Sequence, residues 1–556
     1  AGGGATQRRR RGAPEETVMR LTGRATLLIV SPVLLLLAAA YLQWGIAGLP
    51  SLPAFATPST AAPSGFPGWL RVTHYVNLLF LTLLIRSGLQ ILMDHPRLYG
   101  NVHCTPGTEW LRLTPITVPL DRVWTAKDDS RRLTPWIGLP GGRHTVGIAR
   151  HWHFLTVLFW VGNGFTFVAL LFATGQWHRL VPMSWHIVPA AWAVFVHYAT
   201  LHLPPEPDGF VRYNPLQQLS YFAVVFVLAP CAILTGPSMS PALTNRFKWY
   251  PFLPGNRQIG RSLHFLVMCA FVLFIAMHVA MVALTGLVRN MNHIVMGTDD
   301  ANPVGVWLGL FALAVVILLN GLANWTAWKR PRTVQHASRA IVSPVMGWLL
   351  DRPAPQAEFL RRDVSPFFWI NGSMPTSDEW KALAAGRFEN YRLEIHGLVE
   401  NPVQLSLGDL RALGERTQIT LHHCIQGWSG IAAWGGVPLA TVLAVARPQT
   451  GAKAVVFHSF GDGIDFATGI AGGRYYDSLS LRDALNPLTM LAYEMNDCPL
   501  PAQHGAPLRL RVENQLGFKM VKWIRSIEIV ADVRTIAKGE GGYAEDNEYF
   551  GEQASI

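Results

Sequence analysis

The stretch Ile259–Gly286, IGRSLHFLVMCAFVLFIAMHVAMVALTG, decides how the rest of the chain is read. It is apolar and long enough to cross a bilayer as a helix, yet it carries His264 and His278 fourteen residues apart. At about 100° and about 1.5 Å per residue, that spacing returns the second imidazole to nearly the same face, roughly 21 Å further along the axis. An imidazole inside hydrocarbon needs a partner, and membrane helices turn such groups toward the bundle interior. The pair therefore marks two positions near opposite leaflets, suited to axial ligation of haem or to plain interhelical hydrogen bonding.

Outward from this helix, the 556 residues are half apolar and include 20 Trp, too many and too greasy for one soluble domain. Apolar runs of spanning length crowd the first 330 residues and none recurs beyond Asp351. Charge divides at the same place. Residues 1–350 hold 27 Lys and Arg against 11 Asp and Glu, whereas 351–556 hold 19 against 24. A basic membrane part thus joins a mildly acidic soluble part, and the net charge of +11 reports loops beside lipid head groups rather than nucleic-acid binding. Cys104, Cys231, Cys269, Cys424 and Cys498 form no CxxC pair, so neither a disulfide framework nor a cysteine-rich metal site is indicated.

Residues 1–24 read as a disordered basic N-terminus carrying Arg8–Arg11. An extra transmembrane helix is expected within 25–48, and a Pro-rich segment, Leu49–Pro67, follows. The absence of a small-residue cleavage site disfavours a signal peptide, and the twin arginines sit too far from the apolar run for a Tat signal. Further spans are expected at Trp69–Met93, His151–Ala173, Leu216–Leu234, the two-histidine helix and Val304–Trp325, six crossings in all. Ser184–Leu203, with Pro189 and a following PPEP, reads as a helix lying at the interface. On that count one side of the membrane carries 22 Lys and Arg, and the other only Arg71, Arg179, Arg212 and Arg289. The positive-inside rule then places the soluble domain in the cytoplasm at a bacterial inner membrane, with a periplasmic domain as the alternative if the number of crossings is odd.

With that parity His74 matches His278 in depth near the outer leaflet, and His153 matches His264 near the inner one. His151, two residues from His153 on another helical face, is the alternative. The sets RVTHYVNLLFLTLLIRSGL, RHWHF, YNPLQQLSY and RSLHF…AMHV resemble the di-haem cytochrome b subunits of hydrogenases, formate dehydrogenases and thiosulfate reductases over about residues 69–290. The resemblance implies an all-α bundle with a four-helix haem-binding core. It also implies two b-type haems, held by His74, His278, His153 and His264, and quinone or quinol as the exchangeable electron carrier. Arg86, a charge inside the first core helix, is expected either to contact a haem propionate or quinone or to snorkel to the interface. The extra span at 304–328 and the loop 94–150 depart from the family. The loop includes His103, Cys104 and His144 but lacks the ligand spacing of a metal site, and docking onto the soluble domain is its expected job.

A linker or interfacial segment, 329–364, contains the amphipathic piece Ala340–Leu350. Beyond it, YRLEIHGLV, TQITLHH, KAVVFHSF, LRLRVEN and VKWIRSIEIV read as strands, and SDEWKALAAG and LSLGDLRAL as short helices, an α+β domain of about 200 residues. Cys424 follows a strand-like run and precedes a Gly/Trp-rich turn, QGWSGIAAWGG, a place for a soft-metal thiolate or a nucleophile, or equally for a buried structural thiol.

FFWINGSMP, FENYRLEIHGLVENPVQLSLGDL, the Cys424 stretch, LAYEMND and HGAPLRLRVENQLGFKMVKWI resemble the sulfite-oxidase fold of molybdopterin enzymes from about Ser365 to Val533, closest to the branch containing methionine-sulfoxide reductases. That likeness implies Cys424 as the molybdenum ligand, with Asn371, His504, Arg509, Lys519 and Lys522, and more loosely Ser459, contacting molybdopterin. It places Tyr475 or Tyr476 on the substrate side as proton donor or hydrogen-bond partner, or as packed aromatics. The arginines that clamp sulfite are not evident. A molybdopterin domain at 365–535, before a tail at 536–556, is thus expected to couple an oxo-transfer reaction on a small sulfur or nitrogen oxide to the quinone pool. The alternative is a redox sensor or electron-transfer module without turnover. Substrate, direction of electron flow and oligomeric state stay open.

Overall fold

The computed structural model describes residues 29–52, 65–119, 121–142, 146–203, 209–247, 249–250, 255–350, 359–465, 470–537 and 556. The expected basic N-terminus, most of the Pro-rich segment, His144 and nearly all of the C-terminal tail lie outside them.

Five helices are long and apolar enough to span a membrane: α2 (Gly68–Leu92), α3 (Val146–Ala173), α5 (Pro215–Ser238), α6 (Arg257–Leu284) and α7 (Val304–Lys329). The expected first span is α1 (Ser31–Ala47), whose 17 described residues fall short of that length. Local sequence sets the starts. Asn214 forms a capping box with Gln217 ahead of Pro215, and Asn256 caps α6 by accepting from the amides of Gln258 and Ile259. Phe165, Leu273, Phe311 and Leu318 are exposed along the spans, as a lipid-facing surface requires. Helix α4 (Ile187–Ala199), in the stretch expected at the interface, is apolar and, at 13 residues, shorter than the five long helices. Pro189 sits in its first turn, where a missing N–H costs nothing. It packs at the end of the bundle where Trp192 meets Gln43 and Asn214 meets Tyr198.

The other end of the bundle is set by the end of α2, the starts of α3 and α6, and the end of α7. There Ser238, closing α5, lies against Gly260 of α6, where a Cβ would meet its hydroxyl. The long loop after α2 is organised on a buried cation. Arg97 pairs with Asp129 and Glu109 at 2.8 Å each and donates to the Ile116 carbonyl. Strands β1 (Arg97–Leu98) and β2 (Leu111–Arg112) close this loop as a small antiparallel pair. After α7 the chain continues as α8 (Pro331–Leu350), so the expected linker is helical over Pro331–Leu350. Ser338 of α8 reaches the carbonyl of His151.

The C-terminal domain has two five-stranded sheets. One runs β4 (Val403–Ser406), β3 (Arg392–Gly397), β12 (Ile524–Val530), β7 (Ala454–Asp465) and β8 (Ile470–Ser480), with β12 and β3 parallel. The other runs β10 (Cys498–Pro499), β9 (Thr489–Met495), β6 (Ser429–Pro438) and β5 (Arg416–His423), with β11 (Arg509–Val512) also on β9. The main core, from Trp380 and Leu393 through Val442, Leu491 and Leu510 to Ile527, is shared by both sheets. β6 corrects the sequence reading, which took this stretch as a turn. Its glycines admit close backbone approach, since a Cβ on Gly436 would collide with the Leu491 carbonyl of β9.

Candidate functional site

Within the bundle, His74 faces His278 and His153 faces His264, each pair with ring centroids 6.3 Å apart. Those are the pairs matched by depth. Two imidazoles bound trans to one metal, with bonds of about 2 Å and about 1.1 Å from nitrogen to ring centre, give centroids roughly 6.3 Å apart. The residues therefore fit a bis-histidine haem at each level. Outer hydrogen bonds hold the rings by their Nδ1 atoms: His153 on Ser87 at 3.0 Å, His264 on Thr235 at 2.9 Å and His278 on Tyr221 at 3.4 Å. That leaves Nε2 for a metal. Glycines sit beside the inner pair, Gly88 at His153 and Gly236 at His264, where side chains would crowd a macrocycle.

Arg86 lies within α2. Its guanidinium donates to the carbonyl and side-chain oxygens of Asn320 and to the carbonyls of Pro135 and Gly138. A cation so engaged ties α2 to α7 and the loop.

In the C-terminal domain, Cys424 is the first residue of the turn joining β5 to β6. The turn is closed by Cys424 N–H to Trp428 O at 3.1 Å and Gly427 N–H to Cys424 O at 3.1 Å, with Gly427 at φ +112°. Burial pushes the Cys424 thiol up to about 12, opposed by the Gln426 amide and by Arg257 and Arg150. An isolated thiolate here would be costly, whereas a bound soft cation would stabilise it. Asn371 points its amide nitrogen at Sγ, 3.8 Å away. His422 and His423 are held neutral, first by burial and then by Arg511 and Arg257 respectively. A guanidinium only donates, so Nδ1 of each ring accepts, from Arg511 at 3.1 Å and from Arg257 at 3.3 Å, and the proton resides on Nε2.

A second group of cations adjoins. Lys522 donates to the carbonyls of Asn371 and, at 3.0 Å, Gln503. Arg509 donates to His504 O at 3.0 Å and keeps a buried Nε without a partner. Burial lowers His504 to about 3, Arg509 to about 9 and Lys522 well below the usual lysine value; Arg511 adds repulsion at Arg509, and Arg509 adds it at His504 and Lys522. Buried arginine and lysine side chains crowded in this way fit an anionic ligand, and a phosphate-bearing pterin is such a group. Ser459 ties this segment down by donating to Lys522 O at 2.7 Å.

The remaining residues of the sequence reading make contacts of their own. Lys519 is in a buried ion pair with Asp477 at 2.5 Å, and the Tyr475 hydroxyl joins the same carboxylate and Phe518 O. Tyr476 points to the other face of β8, packed with Val456, Val530 and Val533 in a separate cluster.

The sequence reading missed the residues that join the two halves. Arg257 Nη2 donates to Cys424 O at 3.2 Å, Arg150 donates to Ile425 O, and Gln258 reaches Gly427 O at 3.0 Å and Ser429 Oγ at 3.1 Å. The long loop docks beside them through Ala126 N–H to Ile370 O, Trp369 Nε1–H to Cys104 O and Ser429 Oγ–H to Val102 O. A visible cue existed in RQIGRSLH, since arginines in the first turns of a helix oppose its dipole and ask for an outside partner.

A bundle with two facing histidine pairs, joined to a two-sheet α+β domain that buries a thiol at a strand end, defines a membrane cytochrome b fused to a molybdopterin oxidoreductase, and the chain belongs to that family. Residues 65–297 match the prokaryotic cytochrome b561 family, and residues 381–536 match the oxidoreductase molybdopterin-binding domain. Among similar proteins, one of Azospira oryzae, named provisionally as the protein-methionine-sulfoxide reductase subunit YedZ1, is 33% identical over 37% of this chain and 70% of its own. The protein-methionine-sulfoxide reductase catalytic subunit MsrP of Xanthomonas campestris is 32% identical over 40% of this chain and 68% of its own. The sulfane dehydrogenase SoxCD of Paracoccus pantotrophus shares 26% identity over 26% of this chain and 39% of its own, at a TM-score of 0.22.

Proposed function

We propose that the protein is a quinol-driven sulfoxide reductase in which both the electron relay and the oxo-transfer site lie in one polypeptide. The observation that carries this reading is α6 itself. Along one helix it presents His278, His264 and, seven residues before His264, Arg257 against Cys424 O, a rise of about 10 Å from the last to the inner histidine. Sulfoxide as the substrate class follows the relatives' names. The balance is one sulfoxide, two electrons and two protons giving one thioether and one water, with a quinol yielding both electrons and protons.

The bound haems supply one-electron steps, and the bound molybdenum supplies oxygen-atom transfer. The chain positions them. His74 and His278 would hold the outer haem and His153 and His264 the inner one, while Ser87, Thr235 and Tyr221 fix their ring orientation. Cys424 would ligate molybdenum, with Asn371, His504, Arg509 and Lys522 holding the pterin and its phosphate. The molybdenum side is assigned to the cytoplasm, since it shares its end of the bundle with the basic segments 94–150 and 235–262.

The test is a purified protein with about two b-type haems per molybdenum, whose haems, reduced by quinol, reoxidise on addition of methionine sulfoxide. Haems that stay reduced with every sulfoxide tried, or a preparation lacking haem, would end this proposal. For sidedness, Cys498 is an exposed thiol. A membrane-impermeant maleimide should label it in inside-out vesicles and spare it in right-side-out ones, and the reverse pattern moves the domain to the periplasm.

A further inference from the structure

The turn that carries Cys424 is held from outside its own domain. Three of its carbonyls, those of Cys424, Ile425 and Gly427, accept hydrogen bonds from Arg257, Arg150 and Gln258 of the membrane helices. Arg257 is also the donor that fixes the tautomer of His423. Arg261 presses its guanidinium on the same turn, 3.3 Å from where a Cβ on Gly427 would lie. For docking alone, neutral donors suffice, as Gln258 demonstrates. Arg150, Arg257 and Arg261 instead crowd one another at the starts of two helices whose dipoles already present positive ends. Such crowding is tolerable when negative charge sits among the cations. Asp94 supplies part of it and lies within range of Cys424, and a metal-bound thiolate would supply more.

We propose that the membrane domain completes the molybdenum site: Arg150 and Arg257 are positioning residues that hold the Cys424 turn and set positive charge against the metal-bound thiolate. This rests on the reading of Cys424 as the metal ligand. Positive charge beside a redox centre favours its reduced state, so the two arginines raise the potential of the centre that receives electrons from the inner haem. A thiolate, a metal and two cations from another domain also make loading of the metal sensitive to docking.

The test uses the full-length holoprotein in detergent, read by metal content, haem spectra and a redox titration of the Mo(V) resonance signal. Arg257→Gln should keep both haems and shift the midpoint to lower potential. Arg257→Lys should recover most of that shift. Gln258→Ala, which deletes a neutral contact to the same turn, should leave the midpoint at the wild-type value. An unmoved midpoint in Arg257→Gln with metal retained overturns the proposal, as does an equal shift in Gln258→Ala. Where Arg257→Gln holds no metal, Arg150→Gln is judged by the same criteria. Metal loss in both arginine variants with retention in Gln258→Ala supports the assignment, and loss in all three reduces the clamp to a structural one. Cys424→Ser separates the underlying reading: a wild-type Mo(V) signal there removes Cys424 as ligand and leaves the arginines without an object.

Discussion

At the scale of single residues, the choice between His151 and His153 shows what two positions along a helix decide. Their side chains differ by about 200° in direction, so only one can face α6. The ring of His153 stands 6.3 Å from that of His264 and is held by Ser87, whereas the backbone of His151 meets Ser338 of α8. His153→Ala is therefore expected to halve the b-haem absorbance in a reduced-minus-oxidised spectrum, and His151→Ala to leave both haems in place; the opposite result would exchange the two roles. The spacing of the histidines was legible because ligation in a membrane leaves few residue types able to do it. Arg86 and Arg257 were harder to read. A lone arginine in a span looks the same in sequence whatever it meets, and only the path of loop 135–138 and α7 brings four oxygens to Arg86. Tyr475 and Tyr476 could not be told apart in sequence for a related reason, since one residue's difference along β8 puts a side chain on the opposite face of the sheet.

Among elements, β6 is where composition misled. Gly430, Gly435 and Gly436 read as a turn, yet they lie in a ten-residue strand that is buried almost throughout. Their function is proximity: the backbone of β9 runs so close that no Cβ fits at Gly436. Gly436→Val should break this pairing at a cost on the order of 3 kcal/mol, lowering the melting temperature of the C-terminal domain and its molybdenum content. The haem spectrum should persist, because the bundle makes its histidine contacts without this strand; loss of haem in the same variant would show that the two halves do not fold separately. The long loop after α2 posed the opposite problem. Its length signalled a docking role, but its order comes from Arg97, a buried cation with two carboxylate partners whose pairing depends on residues twelve and thirty-two positions away. No local pattern announces such a pair. The alternating strands, in contrast, were readable wherever one face of a sheet is buried, as in β3 and β12.

For the whole molecule, the consequence of the architecture is kinetic. A relative of this chain is named as a subunit and others as catalytic subunits. Here α6 carries one histidine of each facing pair and touches the Cys424 turn, with buried side chains from both halves interlocked around it. On the proposed reading no encounter is needed, and no translational or rotational freedom would be lost for an electron to pass between the halves. With haems pre-reduced and sulfoxide in excess, their reoxidation is expected to be first order, with a rate constant unchanged across a hundredfold dilution of the protein. A rate constant falling in proportion to concentration would mean that electrons cross between molecules or through a separate carrier. In that case the contact of Arg257 with Cys424 O would be a docking feature and not the route. Arg257→Gln should also leave the order of the reaction unchanged while altering its rate, because the helix still spans the interval between the inner histidines and the thiol even after the side chain that grips the turn has been shortened.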